Sequence, residues 1–421
     1  MIIRNTRSVC PVCLKNIDAQ LDQREDGSVY LLKACPEHGD FQVPVWRGKL
    51  DFQSWCIDAD PLSELQGLHC PENCGICPEH DNGSCCVLLE VTKRCNLHCR
   101  FCFADGGREE QDPHLSLLKD SVRDIVRQCG HPLLQISGGE PTMRNDLPEL
   151  VRFAKESGCS YVQLNTNGIR LAQDPIYVQA LKDAGLDIVF LQFDGTTDQI
   201  YRNLRGQPLL SLKMEAIRNC STQGIGVTLV PTVVTGVNDQ NLGDLIRLAQ
   251  SLVPGVRGIH FQPVSYFGRY GKSPRDKDRY TLDQLMADIH QQSGIPMESF
   301  QPSRCDHPRC GFHACFLIEK DGSLKSLGTH SAGKRGCAKD NREYVARHWI
   351  RPPAEPAPDL SREMDFDTFL YRIRQESLTL SAMACQDAMN LTIERLHRCS
   401  LHVYQDGSVK PFCASYLTKM F

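Results

Sequence analysis

Cys95, Cys99 and Cys102 stand in a C-x3-C-x2-C run inside TKRCNLHCRFCFADGG, three thiols within eight residues. Three thiolates can hold three irons of a [4Fe-4S] cube and leave the fourth iron open. An open position is what a reactive metal site needs, whereas a closed four-ligand site is structural or only carries electrons. The spacing also admits a zinc knuckle completed by His98 or by a distant cysteine. Further on, ISGGEPTM offers two glycines that let backbone approach a ligand closely and a carboxylate, Glu140, that can accept from an ammonium group. NTNG and QFDG each end a strand-like run with polar side chains, although Asn-Gly and Asp-Gly also form plain turns.

These residues need a scaffold. The chain has 421 residues, 41% hydrophobic and 23% charged, which is ordinary for a globular protein of two or three domains. A net charge of -4 leaves no electrostatic footprint for nucleic acid. No run of about eighteen apolar residues occurs and the first segment, MIIRNTRSVCPVC, lacks an apolar signal region, so a cytoplasmic protein is expected. A reducing compartment shifts the 22 cysteines away from disulfides and toward metal or redox roles. Cys129, Cys159 and Cys220 sit alone near the ends of helix-like segments and read as small buried hydrophobes.

From residue 87 onward short β-branched runs alternate with amphipathic stretches. VLLEV, LLQIS, YVQLN, DIVFLQF, GVTLVPTVV and GIHFQPV are the strand candidates. Helices are expected over Leu117–Gln128, Leu147–Glu156, Ile176–Asp183, Leu212–Thr222 and Asn241–Leu252. Six βα units predict an α/β fold, a partial (β/α)6 TIM-like barrel with its chemistry at the carboxyl ends of the strands. The expected division is a Cys-rich metal-binding lobe over 1–84, the barrel over 85–270 and a Cys-rich region over 271–421. Asp-Gly in EDGSVYLLKAC, EKDGSLKSL and QDGSVKPFC marks three hairpins, and the proline-rich Trp349–Leu360 reads as a linker.

The C-x3-C-x2-C loop after the first strand, with the aromatic Phe101 before its third cysteine, resembles the signature of the radical S-adenosylmethionine (SAM) enzymes. Within that superfamily, QFDG with YRNLRG, TLVPTVVTGVND, FQPVSYFGR and RCSLHVYQDGSVKPFC together resemble a cluster-rich branch. That branch includes archaeal tetraether lipid synthase, pterin methyltransferase-like proteins and TrsS-type radical SAM proteins. The resemblance covers nearly the whole chain, apart from Gly271–Met297 and the proline-rich linker. It implies that the open iron binds SAM and that reductive cleavage yields a 5'-deoxyadenosyl radical. Gly138, Gly139 and Glu140 would bind the SAM amino group. Asn165, Thr166 and Asp194 would line the SAM and substrate cavity, and Gln262 would approach the adenosyl group or the substrate.

The resemblance also implies a rubredoxin-like or zinc-ribbon-like amino-terminal lobe. CPVC and CPEHG supply Cys10, Cys13 and Cys35 at standard ligand spacing, with His38 or Cys56 as the fourth donor to zinc or mononuclear iron. HCPENCGICPEH repeats the C-x3-C-x2-C spacing with Cys70, Cys74 and Cys77. It reads as an auxiliary [4Fe-4S] site closed by Cys85, Cys86 or His80. A further auxiliary set is expected among Cys305, Cys310 and Cys315, with Cys337, Cys399 and Cys413 as partners. The reading is thus an enzyme that takes electrons from a donor such as ferredoxin or flavodoxin. It would form a C–C bond or transfer a methyl or methylene group on a lipid or pterin-like substrate. A peptide maturase and a non-catalytic electron carrier are the alternatives.

Overall fold

The structure, a computed structural model, describes residues 1–57, 70–71, 74–107, 110–328, 336–356 and 365–420. Part of the proline-rich linker and most of the segment before Cys70 lie outside that set. Strands β1 (Ile2–Val9), β2 (Asn16–Gln23), β3 (Ser28–Cys35) and β4 (Gly39–Arg47) form an antiparallel sheet in chain order. The β2–β3 turn falls on Asp26-Gly27, where Gly27 takes a φ of 79° that costs a residue without Cβ nothing.

The second sheet is built from β5 (Cys86–Glu90), β6 (Leu133–Ser137), β7 (Tyr161–Thr166), β8 (Ile188–Gln192), β9 (Gly226–Val230), β10 (Thr232–Val233) and β11 (Val256–Pro263). To these are added β12 (Gln301–Pro302), β13 (Gly311–Ile318), β14 (Leu324–Ser326), β15 (Ser377–Met383), β16 (Leu401–Gln405) and β17 (Ser408–Pro411). The strands run in the order β12-β13-β15-β11-β9-β8-β7-β6-β5-β16-β17, so the sheet is an open α/β arrangement. The six expected strands are its middle. The carboxyl-terminal region adds β15 beside β11 and β16 beside β5, both parallel, extending the barrel wall to eight parallel strands. Strand β15 is easy to miss in SLTLSAM because Ser and Thr alternate with Leu, yet six of its seven residues are buried.

The parallel strands are buried on both faces, GVTLV of β9 throughout, as covered parallel sheets require. Helices cover the outside by periodic apolar positions: Leu147–Glu156 buries Leu147, Leu150, Val151 and Ala154. One helix, Ala338–Trp349, packs instead against β9, β11 and β15 and brings Trp349 to the base of the barrel. The amino-terminal sheet is tied to the carboxyl-terminal region. Ser8 Oγ donates to Leu391 O at 2.6 Å, Lys33 Nζ to Ala388 O at 2.7 Å, and the Arg47 and Lys49 amides donate to the Asp283 carboxylate.

Candidate functional site

The cysteine loop follows β5 and lies directly on the turn that follows β6. Gly139 N donates to Thr92 O and Glu140 N to Arg94 O, each at 2.8 Å. A Cβ on Gly138 would stand 2.3 Å from Thr92 O, and one on Gly139 2.2 Å from Arg94 O. The two glycines therefore admit the cysteine loop itself, a close approach of backbone to backbone. Cys95, Cys99 and Cys102 cluster around Leu97, Tyr201 and Leu209, and all three border one cavity. His98 is exposed. Burial pushes the Cys95 thiol up to about 12, with Glu140, Cys99 and Cys102 adding to the rise. Three thiols gathered on one loop, with Cys95 raised by its neighbours, fit a positively charged metal group that takes the proton's place.

Glu140 is 1% exposed and its carboxylate is already well used. It accepts from Thr142 N and Oγ1, from Thr166 Oγ1 at 2.6 Å and from Asn167 N at 2.7 Å. Its observed work is to join the ends of β6 and β7. Asp194 departs from expectation: it does not line the cavity. It is fully buried and holds Arg205, Nε to Oδ2 at 2.7 Å and Nη2 to Oδ1 at 2.6 Å, and it is Arg205 that borders the cavity. Burial opposes the charge on Arg205, but Asp194 and Cys99 raise its pKa overall. Arg205 thus delivers a permanent positive charge to the cysteine loop. Burial draws Lys213, which donates to Asn167 O, down to about 8.

The cavity, of about 690 Å³, runs from this loop down the barrel lumen. Phe101, Gly138, Gly139, Glu140, Asn165, Thr166 and Gln262 border it as expected from their positions at strand ends. Lower in the lumen a largely apolar lining carries the polar side chains of Gln135, Gln163 and His260 on β6, β7 and β11, and Gln192 stands at the carboxyl end of β8. Burial lowers His260 to about 4, so it is a neutral ring there, bonded through Nδ1 to Ser381 Oγ at 2.9 Å.

The remaining cysteines sort differently from their spacing. Cys10, Cys13, Cys35 and His38 bring four donor atoms within 4.8 Å of one another, with His38 Nδ1 at 3.6 and 3.4 Å from the Cys10 and Cys35 sulfurs. Cys56 is elsewhere, buried, with a thiol that burial raises to about 11. Cys70 and Cys74 sulfurs are 3.9 Å apart, and Cys70 meets His397 Nε2 at 3.5 Å. Cys77 and Cys399 lie within electrostatic reach of Cys74. Of the expected closing residues, His80 is adjacent, its amide donating to Cys77 O at 2.9 Å. Cys85 packs with Cys305 and Ala338, Cys86 donates to Gln135 Oε1, and His80 bonds to Cys399 O and His402.

The carboxyl-terminal set is also regrouped. Cys385, absent from the expected set, shares a thiol hydrogen bond with Cys413, and Cys399 and Cys310 lie within electrostatic reach of it. Arg395 Nε donates to Cys310 Sγ at 3.3 Å. Cys305 belongs with Cys85, Cys315 faces Thr379 across β13 and β15, and Cys337 is exposed where the helix Ala338–Trp349 begins. Cys159 and Cys220 are buried hydrophobes with thiols raised to about 12 by burial, while Cys129 donates to Ser84 Oγ.

A model of the radical SAM superfamily matches residues 89–249, and one of the HMPTM N-terminal zinc ribbon domain matches residues 2–47. The 7,8-dihydro-6-hydroxymethylpterin dimethyltransferase of Methanocaldococcus jannaschii is 32% identical, covering 97% of this chain and 92% of the relative. The GTP 3',8-cyclase of Alkaliphilus oremlandii is 30% identical over 52% of this chain and 67% of its own. Among solved structures, Streptococcus suis SuiB bound to precursor peptide SuiA aligns over 51% of this chain and 45% of its own, with a TM-score of 0.41 and 14% identity. The chain belongs to the radical SAM superfamily. It is an enzyme of that class, whose members use SAM at a [4Fe-4S] cluster, and it carries an amino-terminal metal site of zinc-ribbon type.

Proposed function

We propose that this enzyme uses a 5'-deoxyadenosyl radical, formed from one SAM, to place a methyl or methylene group drawn from a second SAM on a pterin-like ring. The observation that carries the reading is the end-to-end similarity to the pterin dimethyltransferase, 32% identity across 97% of the chain. The amides in the lumen agree with it. An alkyl chain of lipid type would leave the buried Gln163 Oε1 without a partner, whereas a nitrogen heterocycle offers it an N–H.

In this reading Cys95, Cys99 and Cys102 hold the catalytic cluster, which with bound SAM supplies the radical by one-electron cleavage. Glu140 and Thr166 keep the ends of β6 and β7 together beneath it, and Arg205 balances the charge of the thiolates. Gln262 and Asn165 meet the ligands at the strand ends. Cys10, Cys13, Cys35 and His38 hold one zinc or iron. Cys310, Cys385, Cys399 and Cys413 hold an auxiliary [4Fe-4S] cluster whose negative charge Arg395 offsets, and Cys70, Cys74 and Cys77 with His397 hold a second metal group. An electron donor such as ferredoxin or flavodoxin supplies the reducing electron. The test is anaerobic reconstitution followed by assay of 5'-deoxyadenosine from SAM under dithionite. Activity in the parent and none in Cys95→Ala supports the assignment; cleavage that survives Cys95→Ala removes it.

A further inference from the structure

The lumen of a (β/α) barrel is ordinarily filled by layers of branched apolar side chains. Here it holds open space with several amides set in a largely apolar lining, and the open space ends on the helix Ala338–Trp349. Among the described residues that border this cavity, three buried side-chain atoms have no hydrogen-bond partner: Gln163 Oε1, Trp349 Nε1 and Tyr344 Oη. Gln163 is 1% exposed and Trp349 8%, and all three residues border the cavity. Leaving one such group buried and unpaired costs about 1–3 kcal/mol. Three at one cavity end point to a ligand that completes them.

The chemistry of that ligand follows from the set. Gln163 Oε1 is an acceptor and asks for an N–H; Trp349 Nε1 is only a donor and asks for a ring nitrogen or carbonyl. Tyr344 Oη can serve either way. Aromatic rings close this end. Phe190 lies 4.9 Å from Trp349 and 5.4 Å from His260 between ring centroids, the rings tilted against one another, and His260 is neutral. An aromatic floor suits a planar ring, and a neutral imidazole attracts neither sign of charge strongly.

We infer that the base of the lumen is a subsite for a planar nitrogen heterocycle, with Gln163 accepting from its N–H edge and Trp349 and Tyr344 bonding its acceptor edge. This rests on the proposed pterin reading for the ring's identity but not for its chemistry, since a purine base would present the same kind of edge. In this arrangement the ring lies below the cysteine loop, with its substituents directed up the lumen.

The test is equilibrium binding to the reconstituted full chain, with 6-hydroxymethylpterin and GTP as separate probes and SAM binding as a fold check on each variant. Gln163→Leu and Trp349→Phe are expected to weaken pterin binding roughly tenfold each, Tyr344→Phe by less, and Gln163→Glu, which keeps an acceptor in place, to retain it. GTP bound in place of pterin with the same dependence on Gln163 and Trp349 would sustain the subsite and overturn the pterin reading. A ring that binds equally well to parent, Gln163→Leu and Trp349→Phe, or no binding of either probe, overturns the inference. Tyr344→Phe removes a single polar atom and Trp349→Phe keeps an aromatic ring while removing the indole N–H, so they still decide the matter where Gln163→Leu fails to fold.

Discussion

Arg205 and Asp194 meet as a two-pronged ion pair, at 2.7 and 2.6 Å, with 3% and none of their side chains exposed. The pair sits behind the cysteine loop, where Arg205 Nη1 also reaches Phe101 O at 3.4 Å. Removing one partner strands the other charge in a medium that cannot solvate it, at about 3–5 kcal/mol. Asp194→Ala is therefore expected to lower unfolding stability by roughly that amount and to lower 5'-deoxyadenosine formation. Arg205→Met with Asp194→Leu, which removes both charges, should recover much of the stability and none of the activity. Urea unfolding and the SAM cleavage assay separate the two effects.

Gly139 accommodates a neighbour, as its absent Cβ would stand 2.2 Å from Arg94 O. Backbone oxygen cannot swing aside as a flexible side chain can, so Gly139→Ala must displace the cysteine loop. The expected outcome is loss of the catalytic cluster, about four irons per chain, with retention of metal at Cys10, Cys13, Cys35 and His38. Iron and zinc counts after reconstitution check it.

Much of this architecture was legible because local signals suffice for local structure. The β-branched runs became β5 to β11, the periodic stretches became helices with ends within two residues of expectation, and the three expected Asp-Gly hairpins formed. What failed was grouping at a distance. The three-cysteine loop is sequence-local, and so was visible. Cys310, Cys385, Cys399 and Cys413 are brought together by β13, β15, β16 and the hairpin after it, and no spacing announces a lone cysteine such as Cys385. Asp-Gly at a strand end makes Asp194 look ligand-facing in the sequence. The arginine that covers it comes from the next helix, Asp198–Arg205.

The regrouped cysteines carry their own test. Cys385→Ala is expected to lose about four irons per chain relative to the parent, on a four-iron auxiliary cluster. Cys315→Ala, whose sulfur faces Thr379 instead, is expected to lose none. Equal iron loss in both would restore the assignment that spacing suggested.

His260 makes stability depend on acid. Burial lowers it from 6.5 to about 4, so between those values the unfolded chain binds a proton that the folded chain refuses. Stability from this group is present above pH 6.5 and falls as the pH drops toward 4, by at most about 3 kcal/mol. His260→Asn should flatten the acid side of a urea-midpoint profile between pH 6.5 and 4.5, although His313 and His402, also lowered by burial, keep part of the slope.

Radical methylation of a pterin-like ring is read by incubating reconstituted enzyme with excess SAM, as radical source and as methyl donor, dithionite and a 6-hydroxymethyl dihydropterin, and following the pterin by mass spectrometry with Cys95→Ala in parallel. The expected result is a pterin heavier by one or two methylene units, formed alongside 5'-deoxyadenosine and S-adenosylhomocysteine and absent from the variant. Abundant 5'-deoxyadenosine with the pterin unchanged, and a product formed from another ring such as GTP, would contradict it.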